Sequence, residues 1–443
     1  MPRDLPPSVI EAARPRSAHA HLAGDLALVA ETMALYRLDE GQVDMLARGL
    51  EAGDATTAEA LARLGLDLPV PRPLPSDPAR PVRALTLTVS QTCNLACIYC
   101  YAGGGSFGGP DQRMDWEVAR QALEALIADT PPGGSVRVAF MGGEPLASRE
   151  LIRRAVQHAR HRAAARAVSV GFSMTTNGTL VTEDDADFLA EHRFAVTVSL
   201  DGPRAANDRL RPSRAGAGSF DRVGQGVARL AARSDCIALS ARVTATPANL
   251  DLEATMAALG ALGFLSVGVS PMLTSPTGQG ALRDGDFVTL LDAMIRCGEA
   301  WLEAVLAGKS HPFANLATAL TELHRGQPRS HACGAARDYL AVDAQGSYSA
   351  CHRFVNDPLG RMGSLGDGID HAARRAFLTE RMVERQGPCA SCWARRLCGG
   401  GCHHEVLHAG RPACDYVRGW LHFALTAYGR MIAARPDWFD ARG

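Results

Sequence analysis

From Val82 onward the chain alternates short apolar runs with longer stretches whose apolar residues recur on a helical period. Ala84–Val89 predicts a first strand and Asp115–Ala128 a first long helix. Val136–Phe140, Ala167–Met174, Ala195–Leu200, Ile237–Thr244 and Leu265–Ser270 predict the later strands, with helices near 149–162, 182–191, 220–232 and 250–260 between them. Regular alternation on this spacing predicts an α/β fold in which helices cover a parallel sheet. Six strands suit a partial TIM-like barrel better than a closed eight-stranded one. A further helix near 284–306 leads out of it. Upstream, residues 1–65 read as a small α+β unit: strands at Leu26–Val29 and Ala34–Leu38, then helices near 42–50 and 56–64. Leu66–Pro81 carries six prolines, a density no helix or central strand tolerates, and predicts an extended linker. The expected organisation is therefore a unit at 1–65, a linker at 66–81, a catalytic domain at 82–310 and a C-terminal extension at 311–443. Gly103–Pro110 is glycine-rich but does not run from a strand directly into a helix, so it predicts a mobile loop rather than a phosphate cradle.

Composition narrows the chemistry. The 443 residues are 47% apolar and 21% charged, ordinary for a globular protein, and the formal net charge is -1. That balance offers no general attraction to nucleic acid or to an anionic membrane. No stretch approaches the roughly 18–20 apolar residues that span a bilayer, and the N-terminus has no signal-peptide pattern, so a cytoplasmic location is expected. A reducing compartment makes the 12 cysteines candidates for metal ligation rather than disulfides. Cys93, Cys97 and Cys100 lie close together, Cys236 and Cys297 stand alone, and seven fall between Cys333 and Cys414. The two isolated ones read as small core residues.

The first group, at the end of strand one, has the spacing C-x3-C-x2-C. Three thiolates around one centre suit an iron–sulfur cubane with one open iron; zinc or buried free thiols are the alternatives. Polar residues recur at the ends of the next strands: Gly142-Gly143-Glu144-Pro145, Thr175-Thr176-Asn177-Gly178 and Ser199-Leu200-Asp201-Gly202. A parallel sheet places its ligands at that edge. Two glycines let a ligand approach the backbone, and Glu144 can accept from an ammonium group.

These residues resemble the signature of the radical S-adenosylmethionine (radical SAM) superfamily, with Tyr99 before the last cysteine. The resemblance spans about Val82 to Ser270. It implies that Cys93, Cys97 and Cys100 hold a catalytic 4Fe–4S cluster whose open iron takes the amine and carboxylate of S-adenosylmethionine. Reductive cleavage would then leave methionine and a 5′-deoxyadenosyl radical that abstracts hydrogen from substrate. Gly142, Gly143, Glu144 and Pro145 match the methionine-binding motif, and Asn177, Ser199 and Arg242 stand where relatives contact ribose or methionine. In SLDGPRAANDRLRP, Asn207 replaces a histidine found in many relatives; Asp208 and Arg209 suit either ligand positioning or a surface turn.

Downstream, Cys333-x12-Gly346-x4-Cys351, a gap, Cys389-x2-Cys392-x5-Cys398-x3-Cys402, a gap, and Cys414 resemble the seven-cysteine extension called SPASM. Structural zinc is the alternative on count alone. The resemblance implies two auxiliary 4Fe–4S clusters, making three in all. Cys333, Cys351 and Cys402 would hold the nearer; Cys389, Cys392, Cys398 and Cys414 would hold the farther. Where some relatives have a further ligand for the nearer cluster this chain has Gln327, leaving His331, water or a substrate group as candidates.

Relatives with this extension oxidise or cross-link peptides, so the expected partners are a ribosomally synthesised precursor peptide or small protein subunit and a reducing electron donor, with neither membrane nor nucleic acid involved. The expected activity is an intramolecular thioether or carbon–carbon link, as in quinohemoprotein amine dehydrogenase maturation or cyclophane formation. Formylglycine formation, as in anaerobic sulfatase maturases, is the alternative. Those maturases usually carry aspartate after the cysteine at position 351, whereas this chain has His352, a candidate base or a packing residue. Residues 1–65 resemble part of a peptide-recognition domain, which can pair with a substrate strand, or serve as a structural extension.

Overall fold

The computed structural model describes residues 8–67 and 81–440, so most of the expected proline-rich linker lies outside the described residues. The chain forms two compact units, one from 1–75, 283–333 and 379–443, the other from 76–282 and 334–378.

In the first unit, helix α1 (Ser8–Ala12) precedes an antiparallel sheet of β1 (Ala20–Ala23), β2 (Leu26–Val29) and β3 (Ala34–Arg37). Helices α2 (Glu40–Ala52) and α3 (Asp54–Arg63) follow. Asp39 and Gln42 form a reciprocal cap that starts α2, the side chain of each accepting from the backbone N–H of the other at 2.9 and 3.0 Å. Ala20, Ala27 and Val29 pack with Leu46, Leu50, Ala60 and Leu61 into one apolar core. The two strands expected here are present; β1 was not anticipated, because His21 interrupts its apolar run. The rest of the unit is helical. Asp284–Leu306 packs on the C-terminal helix Cys414–Ala434 at two glycines: a Cβ on Gly298 would lie 2.5 Å from Phe423, and one on Gly419 would lie 2.5 Å from Leu291.

The second unit is built on one ten-stranded sheet. Six of its strands are β4 (Ala84–Ser90), β5 (Ser135–Gly142), β6 (Ser169–Thr176), β7 (Ala195–Ser199), β8 (Ala238–Ala245) and β9 (Val267–Pro271), parallel and adjacent in chain order, with β9 at the sheet's edge. They match the six predicted strands. The third starts two residues late because Ala167 turns into a left-handed conformation, φ 53°. Four further strands extend the sheet past β4: β10 (Tyr339–Val342), parallel to it, then β11 (Ser347–Ser349), β12 (Arg361–Ser364) and β13 (Gly368–Ile369) in an antiparallel meander. These were not expected; strands of two to four residues carry too little periodicity to register. One core assignment fails: Cys297 is buried, but Cys236 is exposed in the turn before β8, where no apolar neighbour is needed.

Candidate functional site

The first cysteine loop leaves the C-terminal end of β4 and is held against the end of β5 by backbone bonds. Gly143 N–H donates to Ser90 O at 2.7 Å and Glu144 N–H to Thr92 O at 3.0 Å. A Cβ on Gly143 would stand 2.3 Å from Thr92 O, and one on Gly105 would stand 2.8 Å from Gly143 Cα. The glycine pair is thus required by the approach of the cysteine loop itself. The glycine-rich stretch after Cys100 is drawn into the same contact, and Asn356 donates to Phe107 O at 3.2 Å, so it is tied down rather than free.

Glu144 is fully buried. Its Oε1 accepts from Leu146 N–H at 3.1 Å and Thr176 Oγ1–H at 2.7 Å, and its Oε2 accepts from Asn177 N–H at 2.7 Å. Burial raises this carboxyl above the usual range, against the pull of those donors. The side chain therefore joins the ends of β5 and β6. Pro145 opens the short turn Pro145–Ser148 beside it. Asn177 faces the cysteine loop, donating to Asn94 Oδ1 at 2.8 Å and to Cys93 Sγ at 3.7 Å, while Leu95 N–H reaches the same sulfur at 3.4 Å. Ser199 pairs in register with Arg242, which pairs with Gly268 and donates to Ser270 Oγ at 2.8 Å. The predicted strand-end residues thus share one edge of one sheet.

Tyr99 does something its position in the sequence did not disclose. Its hydroxyl bridges two buried charges, donating to Asp201 Oδ2 and accepting from Arg211 at 2.6 Å. Asp201 also accepts Thr244 N–H at 2.9 Å. Burial pushes the Asp201 carboxyl up and Arg211 opposes it. The bridge fastens the cysteine loop to the segment after β7. Asp201 and Arg211 both lie within the SLDGPRAANDRLRP stretch, but nothing in the sequence links them to Tyr99. Asp208 serves the turn: it accepts Ser219 and Phe220 N–H at 2.8 Å each. Arg209 donates to Ala248 O at 2.5 Å.

His352 lies in the same unit. Its Nδ1 is 3.0 Å from Tyr339 Oη, itself 2.9 Å from Thr86 Oγ1 on the neighbouring strand. Its ring meets Tyr101 edge-on at 6.0 Å, and the Arg353 guanidinium lies 4.9 Å above the Tyr101 ring. Cys100 and Tyr101 also pack with Val355. The residues after Cys351 therefore sit beside those after Cys100.

In the other unit, Cys389 lies within electrostatic reach of Cys392, Cys398 and Cys414. Burial raises the Cys389 thiol, Arg411 opposes this, and Cys392 and Cys414 add to it; Cys398 is raised by burial and by Cys389 and Cys392, against donors from Gly400 and Gly401. Arg418 pairs with Asp415, and the Cys392 thiol also favours its charge. Gly399, at φ 69°, lets this run approach the chain before Cys333, since a Cβ there would lie 2.5 Å from His331 O. His331 is buried with its ring 6.1 Å from that of His403, and Gln327 donates to Arg325 O at 3.4 Å. Cys333 and Cys402 belong to this unit and Cys351 to the other. Buried thiols resist ionisation without a metal; burial holds Cys97 at about 11. Grouped thiols with N–H donors on sulfur suit a soft metal centre, so both sets fit iron–sulfur ligation.

The family model of the radical SAM superfamily matches residues 87–240, which include the whole first cysteine loop and the ends of β5, β6 and β7. Those residues carry a radical SAM domain. Among curated proteins, this chain is 25% identical over 352 residues to the serine-type anaerobic sulfatase-maturating enzyme of Klebsiella pneumoniae, covering 76% of this chain and 86% of that one. It is 29% identical over 349 residues to the mycofactocin maturase of Mycobacterium tuberculosis, covering 74% and 80%. Its fold resembles that of native anSMEcpe with bound AdoMet and Kp18Cys peptide, with a TM-score of 0.68 at 21% identity, over 81% of this chain and 100% of that chain. The radical SAM fold is followed by a C-terminal extension bearing several cysteines. Among the described residues no helix is long and apolar enough to cross a membrane.

Proposed function

We propose that this enzyme installs an intramolecular thioether or carbon–carbon cross-link in a ribosomally made peptide or small protein subunit. The observation that carries the reading is the pair of ordered cysteine arrays, one on the strand-end loop and one in the extension. The sheet edge supports the partial-barrel reading, and the seven-cysteine spacing supports a SPASM assignment with three 4Fe–4S clusters. When bound, S-adenosylmethionine and the clusters would supply hydrogen-atom abstraction and one-electron transfer. The chain's own residues hold and orient. Cys93, Cys97 and Cys100 ligate the catalytic cluster; the Gly142–Pro145 backbone, Asn177, Ser199, Arg242 and Tyr99 line the place for the cofactor. Cys333, Cys351 and Cys402, and separately Cys389, Cys392, Cys398 and Cys414, hold the auxiliary clusters. Residues 1–65 act as the peptide-recognition domain, the proline-rich linker at 66–81 joins them to the barrel at 82–310, and the auxiliary domain occupies 311–443. A reducing cytoplasm and an electron donor complete the system.

The test is anaerobic mass spectrometry of a candidate peptide encoded beside the enzyme, after incubation with reductant and S-adenosylmethionine. Loss of two hydrogens per modification, with fragmentation blocked between two joined residues, is expected. Similarity to the sulfatase-maturating relative favours a second reading, in which serine or cysteine becomes formylglycine. His352 after Cys351, where those maturases usually carry aspartate, speaks against it. Unmodified peptides with efficient oxidation of a small metabolite would defeat both.

A further inference from the structure

The N-terminal sheet is fastened to the four-cysteine run by charge as well as by apolar packing. Glu31, in the turn between β2 and β3, accepts from both arginines that lie between Cys392 and Cys398. Arg395 Nε reaches Oε1 at 2.9 Å, and Arg396 Nε and Nη2 reach Oε2 at 3.0 and 2.8 Å. Both guanidinium groups are buried, their residues 5% exposed. Arg395 also donates to Ala18 O at 2.5 Å and to Cys392 O at 2.9 Å, and Arg396 pairs with Glu384. Beside them Trp393 Nε1–H donates to Ala13 O at 3.0 Å, and its indole is stacked on His21 at 3.7 Å. One carboxylate thus fixes two successive residues of the short turn Arg395–Cys398, which carries one cysteine and follows another. Without it Arg396 would keep Glu384 but Arg395 would lose its carboxylate partner, leaving adjacent buried cations under-compensated and the turn free to shift.

We propose that Glu31 is a positioning residue for the four-cysteine site: by holding Arg395 and Arg396 it sets how firmly, and at what potential, a cluster is kept on Cys389, Cys392, Cys398 and Cys414. The N-terminal unit is then a working part of that site as well as a candidate peptide binder. This rests on the three-cluster reading.

The experiment compares anaerobically reconstituted full-length protein with its Glu31→Gln, Glu31→Asp and Arg37→Gln variants, by iron and sulfide content and by EPR-monitored redox titration. Arg37 also ties the N-terminal sheet to the C-terminal helix, at Gly429 O, 3.1 Å, but touches no cysteine-bearing turn. Glu31→Gln is expected to lose about four of roughly twelve irons, one cluster's worth, or to keep them with one cluster's signal displaced. Glu31→Asp restores part of the effect and Arg37→Gln shows none. If Glu31→Gln is insoluble, Arg395→Lys, which keeps the charge and loses the planar fork, reads the same signature. Full iron with an unaltered signal and potential in whichever variant is read overturns the proposal. Wild-type protein that itself holds only about four irons defeats the three-cluster reading instead.

Discussion

At the scale of single residues, the sequence disclosed which side chains stand at the strand ends but not what they touch. Tyr99 is the sharpest case. As the residue before Cys100 it belonged to a ligand motif, yet its hydroxyl is spent between Asp201 and Arg211, both buried. Tyr99→Phe would strand a buried carboxylate and guanidinium whose nearest approach is 3.8 Å, costing about 1–3 kcal/mol. Asp201→Asn, leaving Arg211 without its counter-charge, would cost about 3–5 kcal/mol. Denaturant unfolding of the metal-free protein checks both, and a loss in Tyr99→Phe equal to or above that in Asp201→Asn would contradict this ordering. A second residue-scale prediction concerns Arg418, which pairs with Asp415 and whose charge Cys392 favours. A cation beside a ligand sulfur favours the more negative, reduced state of a cluster, so Arg418→Met should lower the potential of the proposed four-cysteine cluster while iron content holds. A potential that stays put or rises would remove Arg418 from that role.

Elements with a long, clean period were legible: the six parallel strands and the helices between them are where the apolar pattern put them. What escaped was short or was settled by partners. The strands β10 to β13 exist because β10 adds to the edge of β4, pairing Tyr339 with Ala84, and four residues cannot announce such pairing. Strand β1 escaped because it carries His21, a polar residue that the fold buries against Trp393 and the C-terminal helix. That burial makes a pH prediction. His21 Nε2 lies 2.8 Å from His422 Nδ1. Burial, then His422 and Arg16, hold His21 well below its ordinary value, and burial lowers His422 as well. The unfolded chain therefore takes up protons that the folded one refuses. The stabilisation is complete above about pH 6.5 and is lost as the pH falls below it, each site adding up to about 1.4 kcal/mol per pH unit. Urea unfolding from pH 8 to 5.5 should show that slope, reduced in His422→Gln; a flat profile would mean that the pair ionises in the folded state.

At the scale of the whole molecule, the chain order and the compact units disagree: the N-terminal 65 residues share a unit with the last cysteines, not with the first cysteine loop that follows them. The sequence pointed to an appendage, because a proline-rich stretch separates it from everything downstream and pairing across more than 300 residues leaves no local trace. This changes what a truncation can show. Without residues 1–65, Arg395 and Arg396 lose Glu31, Trp393 loses Ala13 O, and an indole that is now 1% exposed is opened to solvent. The motifs proposed to cleave S-adenosylmethionine begin at Cys93 in the other unit, so cleavage should survive in the truncated protein. Peptide processing should be abolished, and about four irons should go with it. A truncated enzyme that keeps all its iron but no longer processes peptide would assign the segment to recognition alone. Iron loss with cleavage retained places it in the metal site too, and only Glu31→Gln, which leaves any peptide-binding strand in place, then separates the two contributions. A Glu31→Gln enzyme that binds peptide at wild-type affinity yet turns it over slowly is the outcome expected if the sheet both recognises the peptide and steadies the cysteines.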